Sequence, residues 1–133
     1  MQILLVEDNP GDAYLIQHAF KIANVPVDWS QVDDGVAALS FLRRENNYRE
    51  APRPQFVILD LNLPLKSGVE VLGAVRADES FNDMPVAIFS NSKLPKDVET
   101  CSRFPNCRYF GKPPGFKELV ETVRAIISFA GNS

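Results

Sequence analysis

Short apolar runs alternate with segments of helical period from one end of this chain to the other, and four of the runs deliver a polar side chain where they stop. Glu7 and Asp8 follow residues 3–6, Asp60 follows residues 56–59, Ser90 follows residues 86–89 and Lys112 follows residues 109–111. Strands separated by helices do not close as hairpins; they pair in parallel, which predicts an α/β domain of five strand–helix units. In an open parallel sheet the strand carboxyl ends share one edge and ligands bind there, so three carboxylates, a hydroxyl and an ammonium are expected in one pocket. Such a pocket suits a divalent cation together with a phosphoryl group.

The first helix is signalled by Asn9-Pro10-Gly11-Asp12, with Asn9 as N-cap, Pro10 at the first helical position and Asp12 near the positive helix end. Ile16, Ala19, Phe20 and Ala23 supply its buried stripe. Residues 27–32 read as the second strand, and Asp33-Asp34-Gly35 turns into a helix that runs to about Arg44. The polar stretch 46–54, with Pro52 and Pro54, is a surface loop. Gly68 opens a third helix whose apolar residues are Val69, Val71, Leu72 and Val75. Between Ser90 and Tyr109 the pattern is weakest: Leu94, Val98 and Cys101 have helical spacing, but Pro95 and Pro105 confine the helix to about two turns. The last helix spans about 116–129.

At 133 residues the chain is expected to be a single domain, 1–133, with no output domain after its last helix. A net charge of −3 argues against a nucleic-acid partner held by charge. The start runs straight from an apolar strand into acidic residues, without a basic leader, and no stretch is long and apolar enough to span a membrane. Cys101 and Cys107 lack any C-x-x-C spacing, so reduced thiols in a cytoplasmic protein are expected. His18 has no metal-ligand partner four residues on and is expected to face solvent; Trp29 reads as a rim aromatic, and Arg43-Arg44 as the polar face of the second helix.

Glu7, Asp8 and Asp60 need a countercharge, because like charges about 4 Å apart repel by roughly 4 kcal/mol at an effective dielectric of 20. Magnesium fits: it prefers oxygen ligands, keeps several waters and uses one or two carboxylates plus a substrate phosphate. A carboxylate beside that ion can attack phosphorus and form an acyl phosphate, which makes Asp60 the candidate nucleophile. Ser90 is suited to donate a hydrogen bond to a phosphoryl oxygen, and Lys112 to neutralise another.

The chain resembles the receiver domains of two-component response regulators. The matches are V-E-D-N-P-G-D-A at 6–13, I-L-D-L-N-L-P at 58–64, S-G at 67–68, F-S-N-S at 89–92 and Y-F-G-K-P at 109–113. The fuller strings, with F-L-R-R-E at 41–45 and P-R-P at 52–54, are similar to the receivers that serve bacterial and cyanobacterial phytochromes. The resemblance implies a doubly wound, flavodoxin-like sheet of order 2-1-3-4-5 with helices on both faces. It implies phosphoryl transfer from the phosphohistidine of a sensor histidine kinase, a bacteriophytochrome among the candidates, to Asp60. Magnesium would be held by Asp8, Asp60 and the backbone carbonyl of Asn62, with Glu7 helping through water. Ser90 and Tyr109 would be the switch pair, Lys112 would pair with the phosphate, and Lys112–Pro113 would be a cis bond. The chain would then be a signalling protein that catalyses only its own phosphoryl transfer and dephosphorylation. Asn91 stands where the family usually has a small residue and would narrow access to the phosphoryl group; Pro105 stands where many receivers have Gly or Ala.

Two other classes share parts of this pattern. Phosphatases of the haloacid dehalogenase type also use a strand-end aspartate, but place a second acid two residues later, where this chain has Asn62. A receiver-like module that binds partners without phosphorylation remains the alternative. The expected output surface is the fourth helix, last strand and last helix, used for an unknown downstream protein or a homodimer. At about 100° per residue, Phe116, Val120, Val123 and Ile127 form a narrow core stripe on the last helix, which leaves Leu119 and Ile126 to one side as interface residues with Tyr109.

Overall fold

The computed structural model describes residues 1–91 and 95–131. Five strands, β1 (Gln2–Val6), β2 (Asp28–Val32), β3 (Phe56–Leu59), β4 (Val86–Ser90) and β5 (Cys107–Gly111), form one parallel sheet in the order 2-1-3-4-5. The helices between and after them are α1 (Pro10–Ile22), α2 (Gly35–Arg43), α3 (Gly68–Ala77), α4 (Pro95–Ser102) and α5 (Phe116–Ala130), with a short 3-10 turn at Asn46–Tyr48 inside the expected surface loop. The strand–helix alternation called for the parallel α/β sheet, and its doubly wound order is the one that the resemblance implied.

Side chains alternate across each strand, and the two faces build separate cores. Ile3, Leu5, Phe56, Ile58, Ala87, Phe89 and Phe110 pack with Ala13, Ile16, Ala19 and Phe20 of α1 and with Leu119, Val123, Ile126 and Ala130 of α5. Leu4, Val6, Val57, Leu59, Val86 and Ile88 pack on the other face with α2, α3 and Cys101 of α4. Central strands buried on both faces read as continuous apolar runs, which is why β1, β3 and β4 were legible in sequence.

Local chemistry sets the helix starts. The Asn9 side chain accepts from the Asp12 amide at 3.0 Å and caps α1 with Pro10 in its first turn. Asp34 caps α2 by accepting from the Ala37 amide at 2.7 Å, and Ser67 and Glu70 form a capping box on α3. Gly68 permits a close approach: a Cβ there would lie 2.4 Å from the Asp60 carbonyl oxygen, so any side chain would push α3 off the end of β3.

Several sequence expectations need correction. The core stripe of α5 is Leu119, Val123, Ile126 and Ala130; Leu119 is 6% and Ile126 1% exposed, so neither is an interface residue, while Phe116 is 38% exposed. Val123 belongs to both possible stripes, and the one on its Leu119 side faces the sheet. His18 does not simply face solvent: it is half-buried, stacked on Tyr14 (centroids 6.0 Å, planes 10° apart) and 5.3 Å from the Phe116 ring. The Phe116 ring packs on His18 instead of in the core. Lys112–Pro113 is trans. Val98 is exposed and Cys101 buried on α4, whereas Leu94 lies outside the described residues, as does Ser92 of the F-S-N-S string.

Candidate active site

Three strand ends and one loop meet at the carboxyl edge of the sheet. β1 ends at Val6 and delivers Glu7, which is 1% exposed, followed by exposed Asp8. β3 delivers Asp60, 5% exposed, and Ser90 at the end of β4 is fully buried. Glu7, Asp8 and Asp60 each offer a carboxylate oxygen within 4.8 Å of the others. Sequence distance between Asp8 and Asp60 disappears because β1 and β3 are neighbours, with Val6 opposite Leu59.

Each oxygen of Asp60 has a distinct environment. Oδ1 accepts from the Asn62 amide at 2.9 Å and from the Ser90 hydroxyl at 3.0 Å. Oδ2 accepts from Lys112 Nζ at 2.8 Å. The same ammonium donates to Glu7 Oε1 at 2.7 Å and to Asp12 Oδ2 at 2.9 Å, so one cation is shared by three carboxylates. Glu7 also accepts from the Asn9 amide at 3.2 Å through Oε2. The backbone of Lys112 is fixed as well, since its N–H donates to the Ser90 carbonyl at 3.1 Å. That carbonyl also accepts from the Tyr109 hydroxyl at 3.2 Å, which ties the half-buried aromatic to the end of β4.

The electrostatics follow from burial and pairing. Burial pushes the Glu7 carboxyl up from its ordinary value, against the Lys112 ammonium and the Asn9 amide, which hold it down. Burial alone would lower Lys112, but its hydrogen bonds to Asp60, Glu7 and Asp12 outweigh that and hold it above the ordinary lysine value. Tyr109 is raised by burial first, then by its neighbours Cys101, Asp97 and Asp60. The donor set is all hard oxygen, which fits a small divalent cation such as Mg2+ or Mn2+.

Sequence reasoning gathered Glu7, Asp8, Asp60, Asn62, Ser90, Tyr109 and Lys112, and the structure brings them together. It missed Asp12 as a partner of Lys112. The available signal was position: the first turn of α1 opens at the edge where the strands end, so a first-turn acid can reach the pocket. Asn91 is exposed immediately after Ser90.

The fold and this acidic pocket define a phosphorelay receiver rather than an enzyme acting on a separate substrate. Residues 3–124 match the response regulator receiver domain, and the chain belongs to that family. It is 36% identical over 128 residues to the response regulator Rcp1 of Synechocystis sp., covering 96% of this chain and 86% of that protein. The Mn2+-bound form of Rcp1 superposes with a TM-score of 0.88 at 34% identity, over 96% of this chain and 92% of that one. The phosphorylated cyanobacterial phytochrome response regulator RcpA gives a TM-score of 0.89 at 36% identity, over 97% and 92% of the two chains. The receiver domain of the sensor histidine kinase PA1611 from Pseudomonas aeruginosa, with magnesium in its active site cleft, gives 0.74 at 26% identity over 98% and 97%. Among the described residues no helix is long and apolar enough to cross a membrane.

Proposed function

We propose that Asp60 is the phosphoacceptor of this receiver and takes its phosphoryl group from the phosphohistidine of a sensor histidine kinase. An oxygen of the Asp60 carboxylate attacks phosphorus, the P–N bond to imidazole breaks, and the departing histidine nitrogen takes up a proton. The observation that carries this reading is the environment of Asp60: a hydroxyl and an amide on Oδ1, an ammonium on Oδ2, and two further carboxylates within 4.8 Å. Asp8, Asp60 and the Asn62 carbonyl would hold a magnesium ion, with Glu7 acting through water. Bound there, the ion would neutralise the charge that gathers as a phosphoryl group approaches the carboxylates. Lys112 then pairs with one phosphoryl oxygen and the Ser90 hydroxyl turns to another.

The kinase we assign is of phytochrome type, a reading supported by the relationship to Rcp1 and RcpA. The output surface is the face of α4, β5 and α5, where Tyr109 joins the Ser90 carbonyl to solvent-facing structure. A downstream protein or a second copy of the chain is its partner, and two free cysteines suit the reducing cytoplasm.

Incubation with acetyl phosphate and magnesium should add one base-labile phosphoryl group by intact mass, and Asp60→Asn should remove it. Equal labelling of the variant would overturn the assignment. A folded wild-type chain that takes no phosphoryl group would leave the phosphorylation-independent interaction module in its place.

A further inference from the structure

Two thiols stand between α4 and β5 with no part in the chemistry above. Cys101 is the second-last residue of α4 and buried; Cys107 opens β5 and is half-buried. Both are free, and both pack into the same core cluster where α4 meets β5. The five residues that join them, 102–106, are held by local bonds and from outside. The Arg103 and Phe104 amides donate back to Thr100 and Cys101 carbonyls, each at 3.2 Å. Arg76 reaches across from α3 and donates to the Pro105 and Asn106 carbonyls at 2.8 and 2.9 Å. Asn106, at φ 51°, donates to the Asp83 carbonyl at 3.0 Å. Two sulfur atoms are thus presented to each other by a fixed turn.

Alternation along β5 places Cys107 and Tyr109 on the same side of the strand, packed against the core cluster that contains Cys101, while Phe110 joins the opposite core. We propose that Cys101 and Cys107 are a modification site that forms a reversible intramolecular disulfide with hydrogen peroxide and fastens α4 to β5 beside the Tyr109 ring. Its consequence for output rests on the phosphorelay reading; the bond itself does not.

The chemistry balances with peroxide as the only oxidant. An anionic sulfur attacks one peroxide oxygen, the O–O bond breaks and hydroxide leaves, which gives a sulfenic acid. The second sulfur attacks that sulfenic sulfur, the S–O bond breaks, and the two thiol protons finish on the two oxygens as water. Accepting the Cys107 S–H holds Cys101 below the ordinary thiol range and makes it the attacking sulfur, while the same hydrogen bond and burial push Cys107 up and keep it protonated as the resolving thiol. Cys107, the more exposed sulfur, is where solvent reaches the pair. A resolving thiol in the same cluster closes the bond before a second oxygen can add.

The test is peroxide treatment of the folded, unphosphorylated chain at neutral pH. Intact mass should fall by about two daltons and recover with dithiothreitol. Arg103 lies between the cysteines, so trypsin should release them as a linked peptide pair. Cys107→Ser, at the half-buried position, should lose the effect without touching the core thiol. Amide exchange across 95–111 should slow in the oxidised protein. Oxygen addition to a single sulfur, a disulfide-linked dimer, an unchanged mass, or a disulfide without slower exchange would each overturn the proposal. Because no phosphodonor is present, these results stand apart from whether Asp60 is phosphorylated.

Discussion

Lys112 Nζ lies 2.8 Å from Asp60 Oδ2, and through that ammonium the carboxylate at the end of β3 is joined to Glu7 on β1 and Asp12 on α1. The lysine side chain is 9% exposed, so this cation is countercharge and structural link at once. Phosphoryl transfer to Asp60 would then require Lys112 to exchange a carboxylate oxygen for a phosphoryl oxygen without leaving its place.

Removing that cation should be costly. With metal chelated, Lys112→Met leaves the buried Glu7 and Asp60 without their ammonium and should lower unfolding stability by about 3 kcal/mol, measured in urea at pH 7. The three carboxylates raise the lysine pKa in the folded protein, so its contribution is present in full below about pH 10.4, the unfolded value, and is lost as pH rises through the folded value. The gap between wild type and variant should therefore hold from neutral pH to about 10 and narrow only beyond it. A gap under about 1 kcal/mol at pH 7 would show that the cluster does not depend on the lysine.

Asp8 is exposed and belongs to neither core, so Asp8→Ala should leave thermal stability nearly unchanged. One carboxylate about 4 Å from a divalent ion contributes roughly 2 kcal/mol even at the dielectric of water. Magnesium affinity by calorimetric titration should fall about tenfold or more. Equal affinity in the two proteins would place the ion elsewhere.

Asp12 holds Lys112 from the solvent side, with its side chain 34% exposed. A pair at that exposure contributes no more than about 1 kcal/mol. Asp12→Asn should slow labelling of Asp60 by acetyl phosphate by less than about fivefold, whereas Lys112→Met should slow it far more. Equal losses in the two variants would make Asp12 as necessary as the lysine it holds.

The parts of the fold that were legible are those in which one physical rule acts alone. β1, β3 and β4 are buried on both faces, and a continuous apolar run has little other use. The pocket was legible because parallel strands must end on one edge, so Glu7, Asp60, Ser90 and Lys112 could be gathered without knowing any distance. Asp12 was not, since its role depends on how far the first turn of α1 leans over the pocket. α5 failed for a similar reason. Its two candidate stripes share Val123 and differ by about 60° of rotation, and helical periodicity fixes the spacing of a stripe but not which of two adjacent stripes faces the sheet. His18 and Phe116 likewise find each other across α1 and α5, a contact that neither helix's own period contains.

That rotation of α5 makes the last prediction. Leu119 and Ile126 are buried against Phe89, Phe110 and the helices of the same face, so Leu119→Glu or Ile126→Glu would place a carboxylate in an apolar core with no partner. Each should cost about 3 kcal/mol or more, seen as a large loss of urea stability and not as dissociation of a dimer. Phe116 is the control, an apolar residue on the same helix but 38% exposed and packed on His18. Phe116→Glu should cost about 1 kcal/mol or less, because its ring already meets water and only the stack on His18 is lost. Sedimentation of the phosphorylated and unphosphorylated wild type then reads self-association without disturbing the core. If Leu119→Glu instead kept wild-type stability while Phe116→Glu unfolded, α5 would sit rotated by about 60° onto the other stripe, and Leu119 and Ile126 would return to the surface.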